Sequence, residues 1–283
     1  MPQLYPFLFV FLWSTGFIGA KYGLPYAEPL SFLLTRYGLV IGLMLAIALF
    51  TRAPWPKRAT DWLHIGVTGV LVHAIYLGGV FVAIKHGLPA GVTALVVGMQ
   101  PLLTALGAGR LLGERVRAHQ WGGLLLGFAG VALVVSGKFG DADFGPMLTP
   151  AIVALLGITV GTLYQKRFCP TFDLRSGSVI QFVPSAVVTA AAVALTGGYR
   201  VEWTGDFLFA LGWLVLVLSI GAISLLNLLI RRGSVVNVAS LFYLTPLSTA
   251  LIAFFVFGEK LTLTAAFGMV LAVSGVYLVG RGK

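Results

Sequence analysis

The chain has 283 residues, of which 58% are hydrophobic and only 10% charged, with a mean hydropathy of +0.97. Soluble domains carry roughly a quarter charged residues, so an ordinary soluble fold is excluded. The formal charge of +10 does not indicate nucleic acid, because the basic residues lie in short connectors between apolar runs, where membrane topology places them. A single cysteine, Cys169, excludes an internal disulfide and most metal cages, so neither a metal nor a cofactor is expected.

The opening Met-Pro-Gln-Leu-Tyr-Pro has no basic n-region and no small-residue cleavage site, so the first apolar run reads as a retained helix. A helix needs roughly 20 apolar residues to cross the hydrocarbon core. Ten stretches qualify: 4–21, 30–51, 62–84, 89–112, 119–136, 147–166, 176–196, 206–230, 235–257 and 262–280. The expected class is an all-α polytopic membrane protein. With both termini on one side, the connectors on that side carry most of the 19 basic residues, among them Arg52, Lys57, Arg58, Arg115, Arg117, Lys166, Arg231 and Arg232. The bias places both termini in the cytoplasm.

The chain also repeats itself. Gln100 to Lys138 recurs as Thr245 to Lys283, without a gap, about 145 residues later. Pro101 matches Pro246, Gly113-Glu114 matches Gly258-Glu259, and Gly123 and Gly130 match Gly268 and Gly275. Two halves, 1–138 and 139–283, therefore hold five helices each. Five is odd, so the second half enters the membrane upside down, the arrangement that supports alternating access.

Several motifs resemble one known family. They are Trp13-Ser14-Thr15-Gly16-Phe17 in the first helix, Pro29-x-x-Phe32-x-x-x-Arg36 at the entry to the second, and the two Pro…Gly-Glu-Arg/Lys modules with their glycine-rich helices. Together the chain resembles the EamA type of the drug/metabolite transporter superfamily, over nearly its whole length. That resemblance implies ten helices, cytoplasmic termini and export of small metabolites. Within the superfamily the chain is most similar to aromatic amino-acid exporters of bacterial inner membranes.

Residue by residue, the expectations are these. Pro101 and Pro246, near the middle of the fourth and ninth helices, read as paired hinges, because a mid-helix proline removes a backbone hydrogen bond. Glu114 and Glu259, at membrane boundaries, read as anchors for helix ends, with a loop arginine as a candidate partner. No carboxylate falls at mid-bilayer, which argues against proton relay through Asp or Glu. His73 is the titratable group at the centre of a span, and Tyr76 lies one helical turn away on nearly the same face. Trp13, Gln100, Asn227 and Tyr243 join them as candidate substrate contacts, being polar or aromatic residues near the midplane or the prolines. Arg36, near the outer end of the second helix, reads as snorkelling to the interface, with attraction or release of a carboxylate as its functional alternative. The glycine-rich fifth and tenth helices read as packing or dimer-contact helices away from the path. In the second half Ser219 and Ala222 stand where His73 and Tyr76 do, so the scaffold is symmetric and the chemistry is not.

The reading is a secondary exporter of small amphipathic metabolites, aromatic or other hydrophobic amino acids foremost, by facilitated alternating access. Its partners are a small-molecule substrate and the bilayer, and the chain is a monomer or homodimer. A proton-coupled multidrug exporter is the alternative. A membrane-embedded enzyme finds no His-Glu-x-x-His, paired aspartates or Gly-x-Ser-x-Gly, and a retinal pigment finds no mid-span lysine. A channel finds no ring of charge or repeated filter motif.

Overall fold

The computed structural model describes residues 4–88, 90–136, 145–169, 171–257 and 262–281. Ten helices run through them: α1 (Tyr5–Gly23), α2 (Pro29–Phe50), α3 (Ala59–Lys85), α4 (Ala90–Val97 and Gln100–Leu112), α5 (Ala118–Ser136), α6 (Gly145–Phe168), α7 (Leu174–Leu195), α8 (Gly205–Arg232), α9 (Val235–Ser240, Leu241–Tyr243 and Leu244–Phe257) and α10 (Leu263–Gly280). Among the described residues nine of these are long and apolar enough to span a bilayer, and α1 adds an apolar stretch over Tyr5–Gly16. With no water in the hydrocarbon core, helices satisfy their own backbone groups, which explains why so apolar a chain is built from them. The expected spans fall within a few residues of the observed helices. Glu259, Lys260, Lys138, Asp141 and Asp143 lie outside the described residues.

The two halves match in their irregularities as well as their lengths. α2 and α7 each run 22 residues from an extended acidic residue, Glu28 and Asp173. α3 carries a π-helical segment at Val70–Leu77, and α8 carries one at Leu214–Ala222. α4 breaks at Gly98–Met99, and α9 tightens into a 3-10 turn at Leu241–Tyr243. Both breaks immediately precede the repeated prolines.

Those breaks revise the account of Pro101 and Pro246. Pro101 lies in the first turn of Gln100–Leu112, and Pro246 in the first turn of Leu244–Phe257. At Pro101, which follows the turn at Gly98–Met99, the missing N–H falls at a helix start and would have had no helical partner anyway. Pro246 lies just after the 3-10 turn inside a helical run that continues from Val235 to Phe257.

α5 and α10 pack against each other inside the monomer, the packing role that was one of the two expected of them. The four repeated glycines make the seam. A Cβ on Gly130 would lie 2.5 Å from the Gly268 carbonyl oxygen, and a Cβ on Gly123 2.6 Å from that of Gly275. Small residues let membrane helices approach this closely, and van der Waals packing holds them.

The two ends of the bundle are stitched differently. At the end away from the termini, the α1–α2 and α7–α8 connectors pair: Glu202 N donates to Tyr26 O (2.7 Å) and Glu28 N to Arg200 O (3.2 Å). Tyr26 donates to Asp206 (2.9 Å), and Lys85 pairs with Glu28 at 3.6 Å. At the terminal end, Lys166 Nζ donates to the Ile230 and Gly233 carbonyls at 2.9 and 2.7 Å. Glu114 reaches across from the first half, accepting from Ser234 Oγ (2.6 Å) and Val235 N (3.3 Å). It thus caps the start of α9, where a carboxylate satisfies orphan N–H groups and complements the helix dipole. Its partner is a helix terminus, not a loop arginine.

Candidate functional site

Two cavities lie along the axis between the halves. At the terminal end a vestibule of about 700 Å³ is lined by Tyr5, Glu114, Arg115, Arg117, Gln120, Arg232, Ser234, Asn237 and Leu241, with Val276 and Gly280 of α10. Deeper, a small cavity of about 20 Å³ is bounded by Trp13, Tyr76, Ala94, Val97, Gly98, Phe242, Thr245 and Pro246. Its wall contains Gly98 at the break in α4 and Phe242 and Pro246 at the break in α9. Adjacent residues divide the two spaces: Leu241 faces the vestibule and Phe242 the deep cavity. A third groove of about 450 Å³, between α3 and α7, is lined almost wholly by apolar side chains such as Leu63, Val67 and Val183. Leu63 and Val183 are exposed, so this groove opens on the bundle's outer surface.

Trp13 and Tyr76 form the centre. Their rings lie nearly parallel, 15° apart, with centroids at 6.3 Å. Phe242 meets Trp13 edge-on at 5.2 Å, and Phe9 closes the cluster at 5.4 Å from Phe242. Ser14 ties α1 to the α9 break, donating to Val10 O (2.7 Å) and Thr245 O (3.2 Å). The second contact supplies a donor to a carbonyl at the irregular segment, as membrane breaks require.

His73 sits apart from Tyr76, a correction to the shared face expected of them. The π-helical segment closes its turns from i to i+5, so residues three apart diverge more than on an α-helix. Tyr76 therefore turns to α1, and His73 to α2 and α7. The imidazole stacks on Phe182, with centroids at 4.1 Å and planes 11° apart. Tyr37 lies beyond it and donates its hydroxyl to the His73 carbonyl at 2.8 Å. Among the described residues neither ring nitrogen has a hydrogen-bond partner of good geometry, although Gln181 is close.

The other candidates divide. Asn227 joins a buried amide network, accepting from Gln165 Nε2 at 3.0 Å and donating to Gln181 Oε1 at 3.4 Å. Gln100 faces α6, donating to Thr104 (3.2 Å) and Thr162 (3.5 Å). Tyr243 turns away from the cavity and lays its ring against Gly127 of α5, where an added Cβ would lie 2.5 Å from it. The fold brings Trp13 and Tyr76 together in the cavity, His73 and Asn227 together around Gln181, and leaves Gln100 and Tyr243 in helix seams.

Arg36 is the residue the sequence reading placed wrongly. It does not snorkel. It is fully buried and is the largest such side chain among the described residues. Nε donates to Ser219 Oγ at 2.8 Å, while Nη1 and Nη2 have no partner among the described residues. The guanidinium is near enough to Tyr37, Tyr76 and His73 to act on each electrostatically. Burying an unpaired ion costs several kcal/mol, so such a charge marks function. A signal was available: snorkelling needs the interface within reach, and Arg36 lies eight residues into a 22-residue helix.

This architecture defines a polytopic membrane protein of two five-helix repeats, with a vestibule and a smaller cavity between them. The sequence model of the EamA-like transporter family matches residues 2–136 and again 146–281, and the chain belongs to that family. It is 28% identical to the uncharacterized transporter YvbV of Bacillus subtilis, covering 95% of this chain and 88% of that one. It is 27% identical to the uncharacterized inner membrane transporter YedA of Escherichia coli, covering 98% and 90%. A third relative, 26% identical over 96% of this chain and 92% of its own, is named a probable amino-acid metabolite efflux pump of Escherichia coli. One crystal structure superposes with a TM-score of 0.79 at 23% identity, covering 97% of this chain and 94% of the other, and shares the fold.

Proposed function

We propose that this transporter exports small amphipathic metabolites, aromatic or other hydrophobic amino acids foremost, by alternating access. The observation that carries the reading is the deep aromatic cavity at the meeting point of both helix breaks, beneath a vestibule open at the terminal end. Ligand sites are mostly apolar with a few placed polar groups; here Trp13, Tyr76 and Phe242 provide the apolar walls. The relative named as an amino-acid metabolite efflux pump supports the substrate class.

Mechanistically, the halves 1–138 and 139–283 rock about the breaks at Gly98–Pro101 and Leu241–Pro246. At 20 Å³ the deep cavity is contracted and the terminal end is open. Substrate enters through the vestibule, and the halves then close behind it and part at the Tyr26–Glu202 contact. The basic connectors around Arg115, Arg117 and Arg232 support a cytoplasmic entrance in a bacterial inner-membrane protein. Among the described residues the carboxylates lie at helix ends and connectors, which supports flux driven by the substrate gradient. Proton coupling through His73 is the second reading, favoured by its two unpartnered ring nitrogens.

Counterflow in proteoliposomes tests the proposal. Labelled phenylalanine should accumulate against unlabelled phenylalanine inside, with saturation, and without a proton gradient. Tyr76→Phe and His73→Ala should both impair it while leaving the protein folded. Absence of counterflow for every hydrophobic amino acid refutes the substrate class, and collapse of flux on removing the proton gradient moves the mechanism to His73.

A further inference from the structure

We propose that Arg36 is the carboxylate-binding residue of the transport site, so that the substrate is selected by its anionic group. This rests on the exporter reading above and names the chemistry that site recognises.

The guanidinium presents five N–H donors in a planar fork and stays protonated at any physiological pH. Ser219 takes one of them, and both terminal nitrogens are left without partners inside a fully buried site. The fork geometry of two terminal nitrogens is the one that grips a carboxylate bidentately. The described residues supply no such group there. Among the described residues Glu28 pairs with Lys85, Asp206 accepts from Tyr26, Asp173 binds Arg175 and Glu114 caps α9, all at helix ends or connectors.

The repeat sharpens the point. Arg36 and Gln181 occupy the same place, the eighth residue of equal 22-residue helices. Each faces the π-helical segment of the other half: Arg36 reaches Ser219 in α8, and Gln181 lies by His73 in α3. A neutral amide meets the scaffold's need for polarity at that position. The charge in one half only is therefore an addition, and helix packing does not call for it.

Position completes the site. Tyr76, which borders the deep cavity, belongs to the same buried cluster as Tyr37, the chain neighbour of Arg36. A carboxylate on the fork places the rest of an amphipathic molecule against Tyr76, Trp13 and Phe242. Binding then accompanies widening of the cavity from its contracted volume.

The experiment is calorimetric titration of the purified full chain in nanodiscs with three probes of one skeleton: phenylalanine, 3-phenylpropionate and phenethylamine. Wild type should bind both carboxylates and at least tenfold more weakly the amine. Arg36→Gln, which installs the residue of the equivalent position, should lose tenfold or more in carboxylate affinity with phenethylamine unchanged. Arg36→Lys should recover part of it. Should Arg36→Gln fail to fold, Ser219→Ala frees the fork's anchor and should weaken carboxylates selectively, and the wild-type ranking stands alone as a test. Preference for the amine, or carboxylate binding indifferent to Arg36→Gln and Ser219→Ala, overturns the inference and leaves the exporter reading standing. Wild type that binds none of the three overturns the substrate class beneath both.

Discussion

Adding one methyl group at Gly130 tests whether α5 and α10 form a seam within the monomer. A Cβ there would lie 2.5 Å from the Gly268 carbonyl oxygen, 2.5 Å from Ala272 N and 2.9 Å from Ala272 Cα. All three are backbone atoms of α10, so no rotamer change relieves the contact, and the helices must separate. Overpacking of this kind costs about 1–3 kcal/mol. Gly122→Ala is the control on the same helix: it is exposed, and no heavy atom lies within 4 Å of its added Cβ. There the helix propensity of alanine favours the variant by up to about 1 kcal/mol. Reversible unfolding in mixed micelles, followed by circular dichroism, should therefore separate the two variants by more than 1 kcal/mol, about a fivefold change in equilibrium constant. Chromatographic size should be the same in both. Equal stability of the two, or a change of oligomeric state confined to Gly130→Ala, would refute an intramolecular seam.

Glu114→Ala should cost about 0.5–2 kcal/mol by uncapping α9, whereas Glu114→Gln should recover part of it, measured in the same unfolding assay. Pro101→Ala should change stability little, because Pro101 lies in the first turn of a new helical segment, and Pro246→Ala should not destabilise, because it restores a backbone N–H inside a helical run. Each should slow counterflow if the breaks are hinges, and stability loss like that of a mid-helix disruption would contradict the discontinuous geometry. Arg175 holds the Asp173 carboxyl below its ordinary range through a side-chain hydrogen bond. A depressed folded-state value contributes stability above the unfolded value and loses it as pH falls through the folded one. The difference between wild type and Asp173→Asn should thus shrink in acid, and a pH-independent difference would show that the ion pair contributes nothing.

Much of the scaffold was legible because hydrocarbon imposes a simple rule on backbone. Apolar runs long enough to cross, such as 30–51 and 119–136, became α2 and α5 within a few residues. The repeat of Pro101 and Pro246 correctly pointed to matched irregularities in α4 and α9, although their form differed: the chain breaks first and proline follows. The glycines at 123, 130, 268 and 275 announced close packing without naming the partner. Linear spacing cannot say which of ten helices a small-residue face will meet.

The site was less legible, for a related reason. Helical periodicity put His73 and Tyr76 on one face, and the π-helical segment turned them toward different neighbours. Such a segment depends on what packs around it, here α6 and α7 against Val70–Leu77. Tyr243, chosen for its place beside Pro246, found Gly127 instead of the cavity. By itself the sequence determined the spans, their inversion and the positions where the helices break, since each follows from hydropathy, parity or proline chemistry. Only the tertiary structure decided which polar groups are buried together. It moved Arg36 from an expected interface to a closed interior beside Ser219, because burial depends on residues 183 positions away that no local pattern records.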